Sequence, residues 1–149
     1  MNVLVIDGQG GRLGGQLVRL IIERFPGIKV MAVGTNATAA AVMKKAGAHQ
    51  VASGENPTVV ACRKADVIIG PIGMVIADSL FGEVTPKMAL AVGQADATRI
   101  LIPINKCENY VAGVQNLSLG ALMGDVIETL EQVLQQQENF ACIAAPLVP

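Results

Sequence analysis

The chain opens with an apolar run, Val3-Leu4-Val5-Ile6, that passes through Asp7 directly into Gly8-Gln9-Gly10-Gly11-Arg12-Leu13-Gly14-Gly15. After this turn Leu13, Leu17, Leu20 and Ile21 recur on one face, with Arg12, Gln16, Arg19 and Glu23 on the other, the spacing of an amphipathic helix. A buried strand, a glycine turn and a helix in that order constrain the fold more than any other feature. Glycine lets the backbone turn sharply and come close to a ligand. The helix start behind it offers unpaired N–H groups and a partial positive charge, a combination that favours an anion such as phosphate. The dinucleotide spacing Gly-x-Gly-x-x-Gly would need a glycine at position 13, which is leucine; the pattern that fits is Gly-x-x-Gly-x-x-Gly, at Gly8, Gly11 and Gly14. A tight strand–helix turn in which these glycines serve packing alone is the alternative.

Short Val- and Ile-rich runs recur at 28–33, 66–70 and 99–104, with a weaker one at 49–52, as expected of parallel strands covered on both faces. Helical patterns separate them. Asn36 is the expected N-cap of a helix over 37–46, and Asn56 of a third helix with Pro57 in its first turn. Thr85-Pro86 opens a fourth, in which Gly93 implies a close backbone contact. The last pattern, over 118–137, carries Leu119, Leu122, Met123, Val126, Ile127, Leu130, Val133 and Leu134 in one stripe. This alternation predicts an α/β fold, a doubly wound parallel sheet, Rossmann-like, in a single domain over 1–137 with an apolar tail over 138–149.

Two resemblances bear on this reading. Gly11-Arg12-Leu13-Gly14 resembles the close of the first loop of dihydrodipicolinate reductase, which has methionine in place of the leucine. That likeness implies backbone amides from Gln9 to Leu13 on a pyrophosphate, with Arg12 beside it. Separately, the runs 65–78 and 100–107, with Gly82-Glu83-Val84-Thr85-Pro86 between them, look like a family of small bacterial proteins with no assigned function. This second likeness covers most of the chain and implies a Rossmann-like fold but no catalytic residues.

Ligands of open α/β sheets bind beyond the carboxyl ends of the strands, where the strand order reverses. The expected ends carry Gly8, Gln9, Gly10, Gly11, Arg12 and Leu13; then Thr35 and Asn36; then Gly70, Pro71 and Ile72; then Asn105. These are the expected cofactor-binding residues. NAD-preferring proteins place an acid at the end of the second strand to hold the ribose hydroxyls. Here that position offers Thr35 and Asn36, with no acid between Glu23 and Glu55, so NADP is expected to bind at least as well as NAD. The expected function is nucleotide-cofactor binding. An NAD(P)-dependent oxidoreductase with a pocket shared between subunits, and an interaction module without ligand, remain the alternatives. Reductases of the resembling kind use a second domain for substrate, for which 149 residues leave no length.

Catalytic constellations are sparse. His49 is the single histidine and Tyr110 the single tyrosine, with Val114 where a Tyr-x-x-x-Lys pair would need lysine. Cys107 follows Lys106, which can lower a thiol pKa, but reads as a loop cysteine without a base. Asp7 is expected to accept hydrogen bonds from the glycine loop, and Asp78 and Glu83 to be solvated caps. The net charge of −1 and a pI near 5.8 argue against nucleic acid. Three widely spaced cysteines, with no basic leader before the first strand, are expected of a cytoplasmic protein. Apolar residues make up 52% and charged ones 15%, against a usual quarter charged. That surplus predicts a homo-oligomer using the last helix, the tail or the Met74–Phe81 segment.

Overall fold

Each apolar run becomes a strand because the helices between them cover both sheet faces. The computed structural model describes residues 1–104 and 108–144. In chain order the first compact unit, Met1–Asn116, contains β1 (Asn2–Asp7), α1 (Arg12–Arg24), β2 (Lys29–Gly34), α2 (Ala37–Lys45), β3 (Gln50–Ser53), α3 (Glu55–Cys62) and β4 (Val67–Pro71). A 3₁₀ turn (Ile72–Val75), α4 (Pro86–Gln94) and β5 (Thr98–Ile102) follow. The second unit, Leu117–Pro149, holds α5 (Leu119–Ala144). The strands form one all-parallel sheet in the order β3-β2-β1-β4-β5. This is the first part of the doubly wound order, and the chain's direction of growth reverses between β1 and β4.

Side chains along a strand alternate between faces. Leu4, Ile6, Met31, Val33 and Ile68 form one cluster with Cys62 of α3 and Met88 and Val92 of α4. The intervening Val3, Val5, Val30, Val67 and Ile69 are equally buried and so face the opposite side, where α1 packs on α2. α1 turns Leu13, Leu17, Val18 and Ile21 inward. Each large aliphatic side chain removed from water in this way contributes roughly 1.5–3 kcal/mol.

The caps at Asn36 and Thr85 form where the sequence predicts them: Asn36 Oδ1 accepts from the Ala39 N–H at 2.8 Å and Thr85 Oγ1 from the Met88 N–H at 3.2 Å. The third cap differs. α3 begins at Glu55, and Gly54 precedes it with φ of 100°; the Thr58 N–H and hydroxyl both donate to the Gly54 carbonyl. A glycine able to take positive φ therefore starts the helix two residues before Asn56. Among the described residues nothing stands within 4 Å of the place a Cβ at Gly93 would take, so the expected close contact is absent, and the glycine is exposed. α5 continues past 137 to Ala144, so 138–144 belong to the helix; 145–149 lie outside the described residues.

The Met74–Phe81 segment divides between core and surface. Met74 and Leu80 are core residues, 2% and 3% exposed, and only Phe81 stands fully in water. No helix among the described residues is long and apolar enough to cross a membrane.

Candidate functional site

β1 delivers Asp7 to the carboxyl edge of the sheet, where its carboxylate ties the glycine turn to the first turn of α1. Oδ1 accepts from the Gly8 N–H at 2.8 Å and Oδ2 from the Gly14 N–H at 2.6 Å. Burial pushes the Asp7 carboxyl up, the Gly14 and Gly8 N–H groups pull it down, and the nearby Glu83 charge pushes it up again; the net is a raised pKa. Gly11, at φ 71°, is the left-handed residue that launches α1. Its N–H closes on the Gly8 carbonyl at 3.0 Å, and its carbonyl accepts from Gly15 at 2.9 Å.

Close packing accounts for the glycine at each of the three spaced positions. A Cβ at Gly8 would lie 2.7 Å from Thr35 Oγ1 and Leu80 Cδ1, at Gly11 2.6 Å from the Ala39 Cα, and at Gly14 2.6 Å from the Met43 sulfur. Gly10 is different: nothing stands within 4 Å of the place its Cβ would take. Among the described residues nothing accepts a hydrogen bond from the N–H groups of Gly10, Arg12 or Leu13. These donors belong to the start of α1, the end of a helix that attracts anions.

The tip of β2 is drawn into the same corner. The Thr35 N–H donates to the Asp7 carbonyl at 2.9 Å, and Asn36 Nδ2 donates to the Gln9 carbonyl at 2.9 Å. The third member is Glu83, from the turn after β4. Its Oε2 accepts from the Gln9 N–H at 2.8 Å, the Thr35 hydroxyl at 2.5 Å and Asn36 Nδ2 at 3.0 Å. Glu83 is therefore not a solvated cap, and the expectation that no negative charge stands beside Thr35 and Asn36 is corrected. The acid is missing from the strand but arrives from elsewhere in the chain.

That turn is held by its own core. Leu80 and Val84 are buried, Ser79 Oγ donates to the Gly73 carbonyl at 2.5 Å, and the Asp78 N–H donates to the Val84 carbonyl at 2.8 Å. Asp78, Leu80 and Phe81 take φ of 63°, 54° and 57°, with Gly82 at 84°. Left-handed non-glycine residues cost of order 1–2 kcal/mol apiece and persist only where the surroundings over-determine them. Gly82 was the one signal for this turn in the sequence.

Burial pushes the Glu83 carboxyl up, but the hydrogen bonds from Thr35, Gln9 and Asn36 together outweigh it, and its pKa falls below the ordinary 4.5. A lowered carboxyl contributes stability above its unfolded-state pKa that disappears as pH falls through the folded-state value. Acid titration followed by fluorescence or circular dichroism is expected to show the wild type losing stability below pH 4.5 more steeply than Glu83→Gln. Asp7 acts with the opposite sign: its raised pKa is a contribution present at low pH and lost on ionisation. Identical acid limbs in the two proteins would remove the Glu83 contacts from the account.

The remaining expected residues lie apart from this cluster. Gly70 sits against β1, where a Cβ would come 2.5 Å from the Ile6 carbonyl oxygen. Pro71 ends β4 and Ile72 opens the 3₁₀ turn. Among the described residues no hydrogen bond joins them to the glycine loop; they stand across the reversal of strand order from it. Asn105, Lys106 and Cys107 lie outside the described residues. His49 Nδ1 accepts from the Val30 N–H at 3.1 Å, a strand-capping task. Among the described residues no group of three His, Cys, Asp or Glu side chains could hold a metal ion.

Two clefts lie away from this corner. One of about 490 Å³ separates α3 from α4, lined by Cys62, Arg63, Lys87, Leu90 and Asp96 among others. Burial pushes the Cys62 thiol up to about 11, so it supplies no thiolate there. The second, of about 270 Å³, lies along β2 and β3 beside α3.

Three comparisons with known proteins complete the description. The family model that matches residues 2–135 is described as a Domain of unknown function (DUF3842). No curated protein matches the chain significantly. Among solved structures, one titled as a dodecameric FMN-dependent Ubix-like decarboxylase from Escherichia coli O157:H7 is similar over 89% of this chain and 76% of its own, at 16% identity and a TM-score of 0.42.

Proposed function

Because the chain belongs to the family described as Domain of unknown function (DUF3842), we propose a function from its own site: it binds a nucleotide cofactor, NAD or NADP, at the turn between β1 and α1. The observation that carries the proposal is the set of N–H groups on Gly10, Arg12 and Leu13 that have no protein acceptor among the described residues, at a helix start and beside the open space over Gly10. A pyrophosphate meets the needs of those donors. The residues fit the group at that end: Gly8, Gly11 and Gly14 hold the turn closed by packing, and Gly10 leaves the approach clear. Gln9, Thr35 and Asn36 form the neighbouring wall with Glu83, where the ribose of such a ligand belongs.

A bound nicotinamide supplies hydride chemistry. The two carboxylates of this corner are both engaged by the protein, Asp7 by two N–H groups and Glu83 by three donors. Asp7 holds the loop in shape with both oxygens, Glu83 holds it with Oε2 alone, and binding is the activity this supports.

Calorimetric titration with NAD, NADP, FAD, ATP and CoA is expected to show binding of a dinucleotide, weakened at least tenfold, about 1.4 kcal/mol, in Gly10→Val. A folded Gly10→Val protein with unchanged affinity, or a wild type that binds none of the five, would overturn the proposal.

A further inference from the structure

We propose that Glu83 is the residue that selects the ligand, admitting a nucleotide whose ribose 2′,3′-diol is free and rejecting one that carries a 2′-phosphate. The inference rests on the dinucleotide reading above and goes beyond it by choosing NAD over NADP.

The two oxygens of Glu83 are used unequally. Oε2 receives all three donors, from Gln9, Thr35 and Asn36. Among the described residues nothing donates to Oε1. The same contacts that hold the side chain favour its ionised form, and an ionised carboxylate can only accept hydrogen bonds. A ribose diol brings two hydroxyl donors. The position agrees with this use: Glu83 lies against Thr35 and Asn36 at the tip of β2, where a dinucleotide-binding sheet of this strand order needs its acid. In this chain the acid comes from the turn after β4.

A 2′-phosphate would bring further negative charge to a carboxylate that, among the described residues, forms no ion pair. The ion pair recorded among those residues that involves a lysine is Lys87 with Glu55. Lys44 and Lys45 belong to the last turn of α2, and Asn36 caps its other end. By taking the Gln9 N–H, Glu83 also withdraws that loop donor from phosphate binding, so the phosphates are left with Gly10, Arg12 and Leu13. Phosphate recognition and ribose recognition are thereby assigned to different atoms of one short loop.

The test is calorimetric titration of NAD and NADP into the wild type, Glu83→Gln and Gly10→Val. The wild type is expected to bind NAD at least tenfold more tightly than NADP, a difference of about 1.4 kcal/mol. Glu83→Gln retains the length and an acceptor for the Gln9 N–H but loses the charge, and is expected to bind the two ligands within about threefold of each other (0.65 kcal/mol by RT ln 3). Gly10→Val should weaken both ligands and leave their ratio unchanged. Equal affinities in the wild type, or a preference for NADP, overturn the choice of ligand while leaving the loop as the binding site. An NAD preference that survives in Glu83→Gln overturns Glu83 as its cause. A wild type that binds neither dinucleotide overturns both this inference and the reading beneath it. The wild-type ratio stands as a test even where the Glu83→Gln protein does not fold.

Discussion

Gly11→Val is expected to lower the stability of this protein by roughly 3 kcal/mol, whereas the same substitution one residue earlier, Gly10→Val, should change it by less than about 1 kcal/mol. Gly11 holds a φ of 71°, and a Cβ there would lie 2.6 Å from the Ala39 Cα and 2.9 Å from its carbonyl oxygen. The left-handed conformation costs a side-chain-bearing residue roughly 1–2 kcal/mol, and forcing the α1 and α2 backbones apart adds roughly 1–3 kcal/mol. Against a typical total of about 5–15 kcal/mol, that loss is large. In urea, with a slope of about 1–3 kcal/mol per M, the midpoint should fall by roughly 1–3 M. Gly10 has neither a positive φ nor a neighbour within 4 Å. The pair therefore separates two uses of glycine in one loop, and equal urea midpoints for the two variants would refute the division. It also decides which variant can test ligand binding, because Gly11→Val shifts the backbone of the loop itself, whereas Gly10→Val leaves it in place.

The second large effect belongs to Asp7. Asp7→Ala leaves the N–H groups of Gly8 and Gly14 without their acceptors, and the bonds they lose are buried. Each orphaned buried donor costs about 1–3 kcal/mol. The raised pKa shows that burying the carboxylate itself carries a penalty, which the substitution relieves. A net loss of roughly 2 kcal/mol is the expected result. Asp7→Asn should do no better, because an amide presents an NH₂ group to one of the two N–H donors. Hydrogen exchange is the informative readout: Gly8 and Gly14 amides should lose protection in both variants while β4 keeps its own. Retained protection at Gly14 would show that Asp7 does not hold the turn.

How far the sequence could be read depends on how far apart the interacting residues lie. The buried runs identify β1, β2 and β4, because a strand covered on both faces must be apolar at nearly every position, whereas the edge strands β3 and β5 are partly exposed and carry a weaker signal. The caps at Asn36 and Thr85 were legible because each bonds an N–H three residues on. The cap of α3 lies two residues before the one the sequence favours because Gly54 and Asn56 are both acceptable N-caps, and the choice falls to the position where Thr58 closes on Gly54.

The strand–glycine–helix opening by itself determined an α/β fold with an anion-attracting helix start at the carboxyl end of its first strand. Strand periodicity and the glycine turn act between neighbours in the chain, so composition and spacing are enough to specify them. The acid at the tip of β2 was invisible at that range. Glu83 is 74 residues from Gln9 and 48 from Thr35, and nothing in its immediate sequence distinguishes it from a solvated surface glutamate. It reaches them because β4 pairs with β1 on the side opposite β2 and because Leu80 and Val84 bury themselves in the core. That burial holds Asp78, Leu80 and Phe81 in left-handed conformations that their local preferences oppose. Only the packed sheet supplies the free energy to override those preferences, and so only the tertiary structure could bring a carboxylate to the glycine loop.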